Sequence, residues 1–197
     1  MARSVSGLAR SGLSIGGFGA QHVAPLQDRE NIGNFELAAP WTALSNDTTG
    51  IDVDLSHILG TKSLEFDKVD GGDNELFAGV SATIPEIDLS RFGLEDKLVS
   101  AVYISDKTNV AYAFIRLGTS VSHYNEWQLA DGDITQAVWQ MFSMTLAATE
   151  VTVTGNGWTP SAVTYVCVGV MFDGEANALA DIRFDNLAIE RANLIGT

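Results

Sequence analysis

The run SHYNEWQL at residues 122–129 interleaves aromatic rings with amide and acid groups. Aromatic faces stack on the apolar faces of pyranose rings while amides, carboxylates and guanidinium groups bond the hydroxyls, so this mixture suits saccharide recognition. Asn125 and Trp127 flank Glu126 along the run, and Tyr103, Tyr112 and Arg116 on other strands would complete a glycan-binding face if all shared one sheet. The competing expectation makes Trp127 and Trp139 core anchors, and for a sandwich it is the favoured one.

Other chemistry finds no apparatus. His22, His57 and His123 are scattered, without an HExxH pair or a neighbouring ligand at helical spacing, which argues against a zinc enzyme. There is no GxSxG elbow and no GxxxxGK[ST] phosphate loop. Cys167, the single cysteine, lies in the apolar run VTYVCVGVMF and is expected to be a buried, inert thiol. With 25 acids some carboxylate pair always sits at a plausible separation, so abundance alone does not argue for a glycosidase. The loop containing Asp67, Asp70, Asp73 and Glu75 lacks the helix-loop-helix calcium spacing and is expected to be solvated. No enzymatic activity is expected.

Charge is unevenly distributed. Residues 1–27 hold Arg3, Arg10 and no acid, so of the net −14 this stretch carries +2 and the remainder −16. An acidic body repels phosphate backbones and anionic membranes, so neither nucleic acid nor membrane is an expected partner. The same stretch holds five glycines and four serines, too little apolar surface to offset the entropy of ordering it alone. It is expected to be an extended arm over residues 1–30 that orders against another molecule, with Arg3, Arg10 and Phe18 as its contacts.

From residue 34 onward the period is two, and the sandwich domain is placed at residues 31–197. Nine β-branched and aromatic runs recur: Leu64–Val69, Leu76–Ile84, Leu98–Ser105, Val110–Leu117, Ser122–Leu129, Ala137–Leu146, Glu150–Thr154, Val163–Phe172 and Ile182–Ile189. VDGGDN, SDKTN, ADGD, TGNG and FDGEAN separate them with residues suited to tight turns. These features predict an all-β, two-sheet antiparallel β-sandwich, with Val163–Phe172 central because both its faces are apolar. One helical turn is expected near residues 86–92.

Three phrases carry a family resemblance: IGNFELAAPWTA, AVWQMFSMTL and ADIRFDNLAIE. In that order they resemble segments of family 4/9 carbohydrate-binding modules, which share the galactose-binding-like jelly roll. Asn34, Phe35, Glu36 and Trp41 stand at the first phrase, and Phe184, Asp185, Asn186 and Leu187 at the last. The resemblance implies a jelly roll over residues 32 to 190, with a structural calcium held by Glu36 and Asp185 where the first and last strands meet. No cofactor is otherwise required.

A jelly roll without catalytic residues and with a basic Gly/Ser-rich arm points first to a virion structural protein, a capsid or tail decoration subunit assembled in the host cytoplasm. Its partners would be other virion proteins and copies of itself. The second expectation is a carbohydrate-binding module, or a domain adhering to a surface glycan.

Overall fold

The computed structural model describes residues 29–33, 35–70, 75–147, 152–174 and 177–192. The strands form two six-stranded sheets. Sheet A contains β1 (Arg29–Asn31), β3 (Thr48–Asp54), β4 (Ser63–Lys68), β6 (Lys97–Ile104), β9 (Gln140–Thr145) and β12 (Leu179–Glu190), in the order β3-β4-β12-β6-β9, with β1 also paired to β12. Sheet B contains β2 (Thr42–Ala43), β5 (Phe77–Ile87), β7 (Val110–Ser120), β8 (His123–Ala130), β10 (Thr152–Thr154) and β11 (Val163–Phe172), in the order β10-β8-β7-β11-β5-β2. All ladders between them are antiparallel.

The nine expected strands correspond to β4 through β12. β1, β2 and β3 were not expected, because REN, TA and TTGIDVD lack the alternation of a half-buried strand and form through pairing with β12, β5 and β4. The boundary placed at residue 30 falls inside β1. Arg3, Arg10, Phe18 and Asn34 lie outside the described residues. The expected helical turn at 86–92 is absent: Glu86 and Ile87 continue β5, and Phe92 N–H closes a turn on Leu89 O. The chain stays extended through Pro85 because its end pairs with β11.

One apolar core fills the space between the sheets. Sheet A contributes Leu64, Phe66, Val102, Ile104, Phe142, Ile182 and Phe184, and sheet B contributes Val80, Ile115, Leu117, Trp127, Val166, Val168 and Val170. Phe66 and Phe184 stack across β4 and β12 with centroids 6.2 Å apart. β11 sits between β7 and β5, as its two apolar faces predict. Its outward residues Tyr165 and Cys167 belong to a second, smaller cluster with Phe114, packed by Leu44, Phe77, Tyr112 and Tyr124. That cluster lies on the face of sheet B turned away from the core.

Candidate functional site

The alternation of a strand places successive side chains on opposite faces, so the register determines what the outer face of sheet B displays. Arg116 on β7 lies opposite Glu126 on β8 and Cys167 on β11, and Cys167 in turn lies opposite Ser81 on β5. Neighbouring rows run Tyr124–Gly118–Tyr165 and Gln128–Phe114–Gly169 across β8, β7 and β11. Thr152 on the edge strand β10 lines up with Glu126, and Thr154 with Tyr124. A transverse band of aromatic, amide, acid, guanidinium and hydroxyl groups therefore runs from strand to strand.

Glycines make room for this band. A Cβ on Gly118 would meet His123 O at 2.0 Å and Tyr124 Cα at 2.7 Å; one on Gly169 would meet Phe114 Cζ at 2.4 Å. Their missing side chains let Tyr124 approach Tyr165, with centroids 6.2 Å apart, and let the Phe114 ring lie over β11. Tyr112 packs edge-on against Phe114 at 6.4 Å.

Arg116 occupies the middle of the band. Its Nε donates to Glu126 Oε2 at 2.6 Å, while Gln128 Nε2 donates to the other oxygen, Oε1, at 2.7 Å. The guanidinium lies 4.3 Å from the Phe114 centroid, 4.8 Å from Tyr124 and 5.9 Å from Phe77. Burial disfavours its charged form, but the field of Cys167 and the Glu126 carboxylate outweighs that, and its pKa rises. Tyr112 is also raised, by burial first and by Glu126 second. The buried Tyr165 hydroxyl, beside Ser81 and Cys167, makes no well-formed hydrogen bond, and burial drives its pKa upward. The pair Arg116–Glu126 is mutually neutralised, so the band presents hydrogen-bonding capacity without net charge.

The structure divides the residues expected to bind glycan. Tyr112 and Arg116 do share the outer face of sheet B. Trp127 does not: it is fully buried in the core, edge-on to Trp158 at 5.3 Å. Asn125 has the same parity as Trp127, and its Oδ1 accepts the Trp158 N–H at 3.1 Å, so it braces a loop instead. Tyr103 stands on β6 in the other sheet, beside Trp139. The expectation of two core tryptophans thus holds for Trp127 and fails for Trp139, which joins neither apolar cluster. Tyr124, Glu126 and Gln128 were not singled out, although the shared parity of the apolar Trp127 and Leu129 was a signal that they face outward.

Glu36 and Asp185 do converge, lining a cavity of about 320 Å³ with Asn31, Phe35 and Leu59. Glu36 Oε1 accepts Thr61 N–H at 2.8 Å, and its other oxygen accepts the Thr61 hydroxyl. Asp185 Oδ2 accepts the N–H groups of Ile58 at 2.8 Å and Leu59 at 2.7 Å. These oxygens face donors, Asp185 anchoring the 55–62 loop to sheet A and Glu36 holding it to the segment that follows β1. Among the described residues no group of three or more acid, imidazole or thiol side chains gathers as it would around a metal ion. The arrangement does not fit the multi-oxygen cage a hard cation requires.

No protein-family model matches the sequence, and no curated protein matches it. Solved structures do. A family 11 carbohydrate-binding module from Clostridium thermocellum, in complex with a β-1,3-1,4-mixed-linked tetrasaccharide, superposes with a TM-score of 0.56 at 9% identity, covering 83% of this chain and 96% of that one. The fold is that of a carbohydrate-binding-module jelly roll. A family 30 carbohydrate-binding module superposes with a TM-score of 0.51 at 12% identity, covering 82% of this chain and 94% of that one. An exo-β-agarase reaches a TM-score of 0.57 at 9% identity over 83% of this chain, yet the match spans 24% of that enzyme. At such identities the likeness is one of architecture.

Proposed function

We propose that this chain is a non-catalytic glycan-binding module that takes a neutral saccharide chain across the outer face of sheet B. The observation that carries the reading is the Glu126–Arg116 pair, held on a solvent-side face between aromatic rings and flanked by Gln128. Tyr124 and Tyr112 would stack against sugar rings, while Gln128, Thr152 and Thr154 would meet hydroxyls. Because Glu126 already answers Arg116, no uncompensated cation awaits a carboxylate or sulfate, and a neutral glycan fits best. The fold shared with carbohydrate-binding modules supports this choice of ligand class. The expectation of a virion subunit depends on the arm, whose residues 1–28 lie outside those described, and neither the fold nor its neighbours lends it support.

The test is affinity electrophoresis through gels containing soluble neutral polysaccharides, followed by titration calorimetry with oligosaccharides. The parent should be retarded in at least one gel and the Tyr124→Ala variant should not, with unchanged circular dichroism. Equal migration of both proteins in every gel would sink the proposal.

A further inference from the structure

The other sheet carries aromatic residues that the core does not use. Trp41 and Trp127 are buried and Trp158 packs against the core, whereas Trp139 is held half-buried at the surface by its indole N–H, which donates to Ser56 Oγ at 3.1 Å. Trp139 precedes β9, and the β9–β6 register, Gln140 opposite Val102, places it beside Tyr103 on the outer face of sheet A. Their ring centroids are 5.7 Å apart and tilted by 50°. Across the next ladder Tyr103 lies opposite Arg183, whose guanidinium sits 4.9 Å from the Tyr103 centroid. Arg183 in turn lies opposite Glu65, and Glu65 opposite Asp52. One row, Trp139–Tyr103–Arg183–Glu65–Asp52, therefore runs from the residue before β9 across β6, β12, β4 and β3.

This row is preorganised. Arg183 Nε donates to Glu65 Oε2 at 2.5 Å, its NH2 group donates to Asp181 Oδ1 at 3.2 Å, and Asp54 Oδ1 stands 3.4 Å from Nε. The 55–62 loop, held to sheet A through Asp185 and to Glu36, fixes the Ser56 that holds Trp139. Rings that need little further ordering lose less entropy when they capture a ligand. Met141, 51% exposed and of the same parity as Trp139, extends the apolar part of the surface.

We infer that sheet A carries a second saccharide-stacking site, in which Trp139 and Tyr103 take the apolar face of a neutral hexopyranose and Asp54, Asp181 and Arg183 bond its hydroxyls. The choice of ligand class rests on the glycan-binding reading of this chain; the surface itself does not. Three carboxylates surround one guanidinium, so the site repels uronic acids and sulfated sugars. With a site on each face, the sandwich would bridge two glycan chains, or bind one polymer surface with gain from bivalency.

The experiment follows the Trp139 indole N–H resonance of the full chain, identified by its loss in Trp139→Phe, while neutral oligosaccharides are added, the mixed-linked β-1,3-1,4 tetrasaccharide among them. The resonance should shift saturably in the parent and in Tyr124→Ala alike. Calorimetric stoichiometry should be two in the parent and one in Trp139→Ala, whose sheet A affinity falls at least about tenfold. Circular dichroism and the remaining indole signals report that Trp139→Ala is folded. A ligand that binds with Tyr124 dependence but leaves the Trp139 signal still overturns this inference alone. A shift at Trp139 with a calorimetric stoichiometry that Tyr124→Ala leaves unchanged keeps it and removes the sheet B proposal, and silence at both faces overturns both. Preferential binding of a sulfated oligosaccharide at Trp139 would overturn the assigned ligand class.

Discussion

Arg116 and Glu126 face each other directly across the β7–β8 ladder, with 11% and 6% of their side chains exposed and 2.6 Å between Nε and Oε2. Their mutual dependence is one of charge as well as position. Removing one partner leaves the other ion nearly buried and unanswered, a loss of about 3–5 kcal/mol, whereas replacing both by apolar groups of similar volume is often close to neutral. Arg116→Ala should therefore unfold at much lower denaturant than the parent, and Arg116→Met combined with Glu126→Leu should recover most of that stability while losing saccharide binding. Chemical denaturation beside calorimetry checks both halves.

Tyr124 and Trp127 are three residues apart but belong to different faces of β8. Trp127→Ala should destabilise the fold by about 3–5 kcal/mol, because the core cannot collapse around so large a void beside Trp158. Tyr124→Ala should shift the melting temperature little and abolish glycan retention. The opposite pattern would return Trp127 to the binding face.

Gly169 permits the close pass of the Phe114 ring over β11. In Gly169→Ala the new Cβ meets Phe114 Cζ at 2.4 Å and the Ala78 carbonyl oxygen at 2.6 Å, contacts that require both ring and strand to shift. The expected loss is about 1–3 kcal/mol, read from thermal unfolding. Displacing Phe114 also removes the floor beneath Arg116, so binding should weaken in the folded fraction.

Acid should loosen the 55–62 loop before it unfolds the sandwich. The Thr61 hydroxyl, with help from the Thr61 N–H, holds the Glu36 carboxyl below its ordinary value of 4.5. A depressed carboxylate contributes stability above that ordinary value, and the contribution disappears as the pH falls through the lower, folded value. Amide exchange at Thr61 should therefore accelerate as the pH drops below 4.5 beyond the intrinsic pH trend, and Glu36→Gln should remove the extra dependence.

Cys167 should be unreactive in the native protein. Complete burial pushes its thiol up to about 12, and the nearby Arg116 guanidinium only partly opposes that effect. A thiol reagent at pH 8 should modify it at the rate of unfolding rather than at the rate of a free thiol.

How far the residues foretold the site depends on which residues are considered. β4 to β12 were legible because apolar alternation and turn residues are local signals, and β11 was legible as central because both its faces are apolar. β1, β2 and β3 were not, since short polar segments gain strand structure only from the neighbour they pair with. In SHYNEWQL the parity was misjudged. A strand displays either its odd or its even residues, and a shift of one exchanges the whole set. Core space beside Trp158 takes Trp127 inward, which turns Tyr124, Glu126 and Gln128 outward.

The sequence by itself determined an all-β chain with apolar alternation sufficient for two sheets, no visible catalytic set, and a supply of aromatic and polar residues suited to sugars. Tertiary structure alone decided how these residues are divided. Tyr112 and Arg116 went to one sheet and Tyr103 and Trp139 to the other, while Glu36 and Asp185 were brought together from opposite ends of the chain to hold one loop. The physical reason is that pairing partners and strand faces are set by long-range ladders and by which side chains fill the shared core, and neither is encoded by a residue's immediate neighbours.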